Sequence, residues 1–312
     1  MENPLNENVM PHRPMSAGQP LREEEVEWMN AYASEVLATF RARFEDASGR
    51  FKKPQPLLDR FSSAIVAVQA YSAHASGQGC CSFSSAIAAV QDKYRSLLRA
   101  VDEAHNELCI ASALLDNADP QFTCLEYEPI LPGCAKSIDF RATTDAGLIV
   151  YVDVKTIKPQ ARDRWEQFER ALAEGWFPPN VSVLLSKDRL GGELWHNMFA
   201  ARGRMLEYSL ELEQKIAEGR LSGNNSLFVL ALCGEGFYWD EDELEDFISY
   251  YYSGTHRADD PFANAETRYV LDKNIVIAKT ISRFVCMRRP QGDILHKRLN
   301  WNVQPPRHPH FA

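Results

Sequence analysis

The sequence feature that most constrains the fold is an apolar run from Leu148 to Val152, which follows Asp145-Ala146-Gly147. Consecutive apolar residues with branched and aromatic side chains are typical of a β-strand that is covered on both faces. A short loop that ends in glycine suits the turn of a β-hairpin. Because a strand buried on both faces needs further layers above and below it, the sequence predicts a layered α/β fold.

Helices and strands are predicted on both sides of this run. Helical periodicity or strand-like composition defines each segment, and glycine or proline separates many of them. A mixed sheet flanked by helices is expected, with Gly191-Gly192 as a turn. The predicted helices are 21–44, 57–71, 83–115 (with a break), 162–174, 205–217 and 241–252, and the predicted strands are 123–129, 137–141, 148–156, 181–185, 227–232 and 275–287.

Composition limits the class of protein. The chain is 45% hydrophobic and 25% charged, which is typical of a globular protein and excludes wholesale disorder. Its apolar runs are too short for a membrane span, and its polar N-terminus does not resemble a secretory signal. Seven cysteines without a CxxC pair argue against a zinc or disulfide framework and favour buried thiols in a reducing cytoplasm.

The charged residues around the apolar run are the strongest candidates for a functional site. In a hairpin centred on Ala146, Asp139 and Asp153 lie opposite each other, and strand alternation places Lys155 on the face of Asp153. Carboxylates about 5 Å apart repel each other unless one is protonated or a cation lies between them. A metal site explains this pattern. A cross-strand ion network in which Lys155 neutralises both acids is the structural alternative. A further alternative is that the two strands pair in a different register, so that the two aspartates are not opposite each other.

Asp139, followed by Asp153-Val154-Lys155, resembles the active-site signature of the PD-(D/E)XK, or restriction-endonuclease-like, nuclease superfamily. The resemblance implies an αβββαβ core of a helix, a three-stranded meander, a second helix and a fourth strand. The predicted elements follow that order from about residue 83 to 186. Ile138 stands at the position of the superfamily's proline. The expected organisation is a disordered tail at 1–20, a helical region at 21–82, the nuclease-like core at 83–200 and a C-terminal α/β extension at 201–312.

The resemblance also implies the roles of the residues. Asp139, Asp153 and the carbonyl of Val154 would bind Mg²⁺, or Mn²⁺ in its place, because hard cations prefer oxygen ligands. Lys155 would orient the attacking water or stabilise the charge that develops on the phosphate. Glu107 on the first helix is the expected third acid, catalytic and metal-binding, and Glu126 and Glu128 are its alternatives.

The expected function is therefore a cytoplasmic, metal-dependent nuclease that acts on DNA, without a membrane partner. A non-catalytic binding or assembly module with the same fold is the first alternative, and a metal-dependent hydrolase of another phosphate ester is the second. RNA as substrate, endo- or exonuclease action and the oligomeric state stay open. A homodimer would place two sites on a duplex.

The formal net charge of −9 disfavours a protein that coats nucleic acid, but it allows a local basic groove. Two clusters of basic residues could contact phosphates or could simply be solvated. These clusters are Lys155, Lys158, Arg162 and Arg164, and Arg283, Arg288, Arg289, Lys297 and Arg298.

Three further patterns are interpreted as structural. The acidic run from Asp240 should begin a helix, because acids complement the dipole at a helix start. The tyrosines at 250–252 should pack at the end of that helix. His105 and Cys109, spaced as on one helix face, should be buried rather than bind zinc.

Overall fold

A computed structural model describes residues 23–47, 49–77, 84–118, 120–131, 133, 137–157, 191–221, 225–234, 241–253, 277–288 and 298–300. The protein is α/β, with parallel and antiparallel strand pairs and helices packed against them, as the sequence predicts. The chain divides into two compact units. The first comprises residues 1–129 and 139–147, and the second comprises residues 130–138 and 148–312.

The first unit combines three helices with a small mixed sheet. Strand β2 pairs in parallel with β1 and antiparallel with β3. Helix α2 packs against α1 and α3, and both α2 and α3 contact β2. The elements are α1 (Glu23–Asp46), β1 (Phe51–Lys52), α2 (Pro54–Gly77), α3 (Ser84–Asp116), β2 (Phe122–Tyr127) and β3 (Phe140–Thr144).

The second unit is built on parallel strands. Strands β4, β5 and β6 run parallel in that order, and β7 pairs antiparallel with β6. Helix α4 packs on β4 and β5, and α5 packs on β6 and α4. The elements are β4 (Ile149–Ile157), α4 (Gly191–Gly219), β5 (Ser226–Gly234), α5 (Glu241–Ser253), β6 (Arg283–Arg288) and β7 (Arg298–Asn300).

The helices of the first unit follow from apolar spacing. Val36, Phe40 and Phe44 recur every four residues along α1, and all three are buried. The predicted break in the third helix is wrong, since α3 is continuous from Ser84 to Asp116. That segment contains no proline or glycine, so nothing in its backbone chemistry interrupts the helix.

Strand β4 is covered on both faces, as its apolar run predicts. Consecutive residues Val150 to Val154 are all buried, and the Tyr151 ring stacks on Phe228 of β5 at 5.5 Å. Gly147 has φ of 77°, the left-handed conformation expected of the turn, and its N–H donates to Thr144 O at 3.1 Å. These contacts confirm the strand and the turn that precedes it.

Strand β3 begins later than predicted. The sequence predicts 137–141, whereas the strand is Phe140–Thr144. Ile138 is fully buried in the core of the second unit, while Asp139 belongs to the first unit and its carbonyl accepts a hydrogen bond from Glu128 N at 2.8 Å. The chain therefore passes from one unit to the other directly before the strand begins.

A buried carboxylate joins α4 to the segment that precedes β6. Glu213, 7% exposed, accepts backbone N–H bonds from Ala278 at 2.8 Å, Lys279 at 2.6 Å and Thr280 at 3.3 Å. It also accepts a hydrogen bond from the Tyr251 hydroxyl. Residues 277–282, directly before β6, have no regular secondary structure. Glu213 therefore supplies the acceptors for three of their backbone N–H groups.

The remaining predictions have mixed outcomes. Gly191 and Gly192 begin α4 instead of forming a separate turn. Tyr251 is fully buried and packs on Phe284 at 5.2 Å, which confirms a packing role for this tyrosine. His105 and Cys109 are buried, as predicted. The tail at 1–20, the helix at 162–174 and the strand at 181–185 lie outside the described residues.

Candidate functional site

Asp153 lies in the buried part of β4, opposite Leu230 in the β4–β5 register. Its side chain is 0% exposed. Oδ1 accepts a hydrogen bond from Lys215 Nζ of α4 at 2.6 Å. Oδ2 lies 3.4 Å from Lys155 Nζ, but within the described residues it accepts no hydrogen bond. A buried carboxylate needs opposite charge beside it, and here two ammonium groups supply it.

Lys155 is at the less buried end of the same strand. Its side chain is 21% exposed, and its Nζ lies 3.2 Å from Glu211 Oε2 as well as 3.4 Å from Asp153. The ammonium group also lies 5.5 Å from the centre of the Tyr208 ring, within range of a cation–π interaction. The structure therefore brings Asp153 and Lys155 together on one face of β4, as strand alternation predicts.

Sequence reasoning did not find Lys215, the second lysine at Asp153. Lys215 is 7% exposed, and it is separated from Asp153 by 62 residues in sequence. A weak signal exists, because Leu212 and Ile216 are buried on either side of it. A charged residue within the apolar stripe of a helix needs a buried partner.

Glu107 forms a second, separate centre in the first unit. It lies on α3 and is 4% exposed. Arg60 Nη1 of α2 lies 2.7 Å from both of its carboxylate oxygens, and the Tyr127 hydroxyl of β2 donates to Oε2 at 2.9 Å. Arg60 Nη1 also donates to the Tyr127 oxygen at 3.1 Å. Arg60 and Tyr127 are the contacts that the sequence did not predict here.

The charge state of Glu107 depends on its acidic neighbours. Burial, followed by the negative charge of Asp139, raises the pKa of Glu107 to about 8, and Glu128 adds to this effect. The positive charge of Arg60 opposes the shift without cancelling it. Glu107 is therefore mostly protonated at neutral pH. The two acids that the resemblance pairs, Glu107 and Asp139, are close enough to interact electrostatically.

The alternative third acids differ in their surroundings. Glu126 pairs with Arg141, its partner in the β2–β3 register, and lies 4.0 Å from Lys53 Nζ. Glu128 is exposed and has φ of 44°. Glu107 is the one among these three glutamates that is buried.

The predicted site residues fall in both units. Glu107 and Asp139 belong to the first unit, and Asp153, Val154 and Lys155 belong to the second. Val154 is buried and lies opposite Ala231 of β5. The pairing of Asp139 with Asp153 across a hairpin stays a prediction.

The carboxylate oxygens of Asp153 and Glu107 can be compared with the oxygen ligands that a hard cation such as Mg²⁺ prefers. Asp153 Oδ2 is a buried carboxylate oxygen to which no described residue donates a hydrogen bond, although Lys155 Nζ lies 3.4 Å from it. Both oxygens of Glu107, by contrast, contact Arg60. Within the described ranges, no group of three or more His, Cys, Asp and Glu side chains is arranged to hold a metal ion.

No helix in the described part of the chain has both the length and the apolar character needed to cross a membrane. Comparisons of the chain with protein-family models, curated proteins and solved structures found no match.

Proposed function

We propose that this protein is a Mg²⁺-dependent nuclease that hydrolyses phosphodiester bonds in DNA. The observation that carries the proposal is the pair formed by Asp153 and Lys155. A fully buried carboxylate keeps one oxygen without a hydrogen-bond donor among the described residues, and an ammonium group lies 3.4 Å from that oxygen. Leaving a buried acceptor unsatisfied costs free energy, and such exceptions are concentrated at functional sites.

The order of elements supports a restriction-endonuclease-like core. Among the described residues, helix α3 is followed by strands β2, β3 and β4, which is the order of the first four elements of an αβββαβ core. The predicted second helix of the core, 162–174, and its predicted fourth strand, 181–185, lie outside the described residues. Asp153 and Lys155 lie on the third strand of this series, where the superfamily resemblance expects them.

The proposed mechanism assigns one task to each residue. Mg²⁺, when bound, would polarise the scissile phosphate and lower the pKa of a bound water. Asp139, Asp153 and the Val154 carbonyl would hold the ion, and Glu107 would complete its ligands. Lys155 would donate a hydrogen bond to the attacking water or to the phosphate oxygen that gains charge. Asp153 helps to position Lys155 for that task, because the two side chains form an ion pair.

DNA as substrate is supported by the charges near the end of the sheet in the second unit. Arg288 of β6 and Arg298 of β7 are directly opposite in the antiparallel register. Two basic residues at opposing positions of a strand pair are candidates to contact a phosphate group of DNA. A cytoplasmic location and a homodimer with two sites on one duplex are the remaining parts of the proposal.

A cleavage assay tests the proposal. Purified protein is incubated with supercoiled plasmid, single-stranded circular DNA or structured RNA, in the presence of Mg²⁺, Mn²⁺ or EDTA. We expect metal-dependent cleavage of DNA by the wild type and a loss of about 100-fold or more in Lys155→Met, because the charge developing on the phosphate loses its stabilising partner. Asp153→Asn should lose activity as well.

Asp145→Asn is the matched control for Asp153→Asn. Asp145 lies exposed in the turn before β4, and its side-chain oxygen accepts a hydrogen bond from Ala146 N at 2.8 Å, which an asparagine oxygen can also accept. This variant should cleave like the wild type. Full activity in folded Lys155→Met would show that the site is assigned to the wrong residues.

A binding or assembly module is the second candidate, and it too has an observation in its favour. Asp153 is paired with two lysines, and Glu107 is paired with Arg60 and Tyr127. Such neutralised networks can serve packing alone. Calorimetry with Mn²⁺ separates the two candidates, because a binding module should show no metal binding that depends on Asp153.

A further inference from the structure

We propose that Arg60 binds a phosphate group of the DNA strand and so positions the strand at the first unit of the protein. This inference rests on the proposed function and deepens it, because it names a substrate-binding residue. Arg60 lies outside the signature Asp139, Asp153-Val154-Lys155, and helix α2, which carries it, precedes the predicted nuclease-like core.

The guanidinium group of Arg60 is held from one side by buried residues. Its Nη1 donates to Glu107 Oε2 at 2.7 Å and to the Tyr127 oxygen at 3.1 Å. Glu107 is 4% exposed and Tyr127 is 3% exposed. Leu57 and Phe61, on either side of Arg60 along α2, are fully buried, so the core fixes the backbone beneath the side chain. The guanidinium group therefore has little conformational freedom left to lose when it binds a ligand.

The other side of the guanidinium group is available to a ligand. Among the described residues, none accepts a hydrogen bond from Arg60 Nε or Nη2, and the Arg60 side chain is 40% exposed. An arginine that serves only an ion pair frequently places two nitrogens against the two oxygens of a carboxylate. Here Nη1 alone lies 2.7 Å from each oxygen of Glu107. The edge formed by Nε and Nη2 therefore keeps its donors for another group.

A phosphate group fits this edge in geometry and in charge. The planar fork of N–H groups matches two oxygens of a phosphate, and arginine keeps its charge throughout the physiological pH range. Asp139, a residue of the candidate site, is close enough to Arg60 to interact with it electrostatically. A phosphate bound by Arg60 is therefore held near a candidate acid. Because that acid repels an anion, the contact positions the strand and does not supply most of the affinity.

Binding of DNA in EDTA tests the inference without cleavage and without a metal ion. Fluorescence anisotropy on the full chain gives the Kd for a labelled DNA duplex, its single strand and an RNA strand of the same sequence, at several salt concentrations. We expect Arg60→Gln to raise the Kd for DNA about tenfold or more, because a charge-assisted contact with a phosphate is lost. The slope of log Kd against log salt concentration should fall by about one, the value for a single phosphate contact.

Arg41→Gln is the matched control for Arg60→Gln. Arg41 is exposed on α1 in the same unit, so this substitution removes the same charge from the protein. The Kd should stay within about twofold of the wild type, because salt screens an exposed charge that does not touch the strand. Arg60→Lys keeps the charge without the fork, so it should keep the salt slope and recover only part of the affinity.

The outcomes separate this inference from the proposed function. An unchanged Kd and salt slope in folded Arg60→Gln, with DNA bound by the wild type, overturn the inference and leave the nuclease proposal intact. Equal losses in Arg60→Gln and Arg41→Gln overturn it as well, since net charge alone then explains them. Arg60-dependent binding of the RNA strand alone overturns DNA as the ligand. If the wild type binds no nucleic acid, the inference is wrong, and the cleavage assay decides the proposed function separately.

A measurement on the wild type covers the case in which Arg60→Gln does not fold. A dicarbonyl reagent that modifies arginine side chains is applied with and without saturating DNA, and modified residues are identified by mass spectrometry. Modification of Arg60 should slow several-fold when DNA is bound, whereas modification of Arg41 should keep its rate. Equal rates at Arg60 with and without bound DNA would overturn the inference.

Discussion

Each unit of this protein buries a carboxylate among candidate site residues, and each has a cationic partner, but only one has acids beside it. Glu107 in the first unit contacts Arg60 and is also close to two further acids, Asp139 and Glu128, and its pKa is raised to about 8. Asp153 in the second unit is paired with two lysines. Burial is the main cause that raises the pKa of Glu107 and the neighbouring acids add to it, whereas two ammonium groups lie beside the Asp153 carboxylate.

The surroundings of Glu107 and Asp153 also affect how each acid would bind the proposed metal ion. An acid neutralised by a proton must lose that proton before it can bind a cation. An acid neutralised by a lysine must instead lose an ion pair. The two halves of the proposed ligand set would thus respond to different conditions: the first to pH and the second to competing charge.

The largest expected effect comes from breaking the Asp153 pair. In Asp153→Asn, the ammonium group of Lys215, 9% exposed, loses its charged partner. We expect a loss of about 3–5 kcal/mol in the free energy of unfolding, because the substitution breaks a buried ion pair. Urea denaturation measures this value. Asp145→Asn, in the exposed turn, should cost less than about 0.5 kcal/mol.

A double variant tests whether the unpaired charge causes this loss of stability. Asp153→Leu with Lys215→Met replaces the pair with apolar groups of similar size and should recover most of the lost stability. If the double variant is no more stable than Asp153→Asn, the cost reflects packing and not the unpaired charge.

The pH dependence of stability tests the state of Glu107. Its folded-state pKa, about 8, lies above its unfolded value near 4.5, so the folded state holds the proton more tightly. The resulting stability is fully present below pH about 4.5 and is lost as the pH rises toward 8, by at most about 1.4 kcal/mol per pH unit. Unfolding of the wild type and Glu107→Gln is compared at several pH values.

Glu107→Gln cannot ionise, so we expect it to lack this decline between pH 5 and pH 8. Two curves that fall in parallel would show that another group titrates in this range and that the pKa of Glu107 is not raised.

Removing one hydroxyl should have a smaller effect. Tyr127→Phe deletes the hydrogen bond of 2.9 Å to Glu107 Oε2 and the one of 3.1 Å from Arg60 Nη1, and it leaves the contact between Arg60 and Glu107 in place. We expect a loss of about 1–2 kcal/mol, since a buried carboxyl group loses one of its donors. Tyr208→Phe is the counterpart in the second unit. Its hydroxyl forms a hydrogen bond of only 3.5 Å with Thr156 O, so it should cost less. Equal costs in urea denaturation would contradict this ranking.

The smallest effect is expected at the exposed end of the Asp153 network. Glu211→Gln removes the partner of Lys155 at 3.2 Å, but the Glu211 side chain is 45% exposed. Surface ion pairs contribute little because water screens them. A change below about 0.5 kcal/mol in thermal or urea unfolding is expected. A loss comparable with that of Asp153→Asn would show that the network acts as one unit.

Local features of the fold could be predicted because they depend on neighbouring residues. The apolar run before Asp153 determined β4, and glycine chemistry determined the turn at Gly147. The break expected in α3 was wrong, since it was inferred without a residue that interrupts a helix. The late start of β3 could not be predicted either, because it depends on Ile138 packing in the other unit.

The strand residues of the candidate site were predictable, whereas the basic helix residues that pair with the buried acids were not. Asp153 and Lys155 are neighbours on one strand, so alternation was enough to bring them together. Lys215 and Arg60 lie 62 and 47 residues from the acids they pair with. A lysine or arginine on a helix is usually solvated, and only the tertiary structure shows which ones are buried against an acid.

The path of the chain through its two units limits how the protein can be divided. Residues 130–138 belong to the second unit, yet the chain returns to the first for residues 139–147. A fragment that ends at Pro129 would lack β3, the antiparallel partner of β2. Neither unit can therefore be produced intact by a single cut or acquired by simple gene fusion. Recombination that exchanges one unit for another would need breakpoints on both sides of the short return segment.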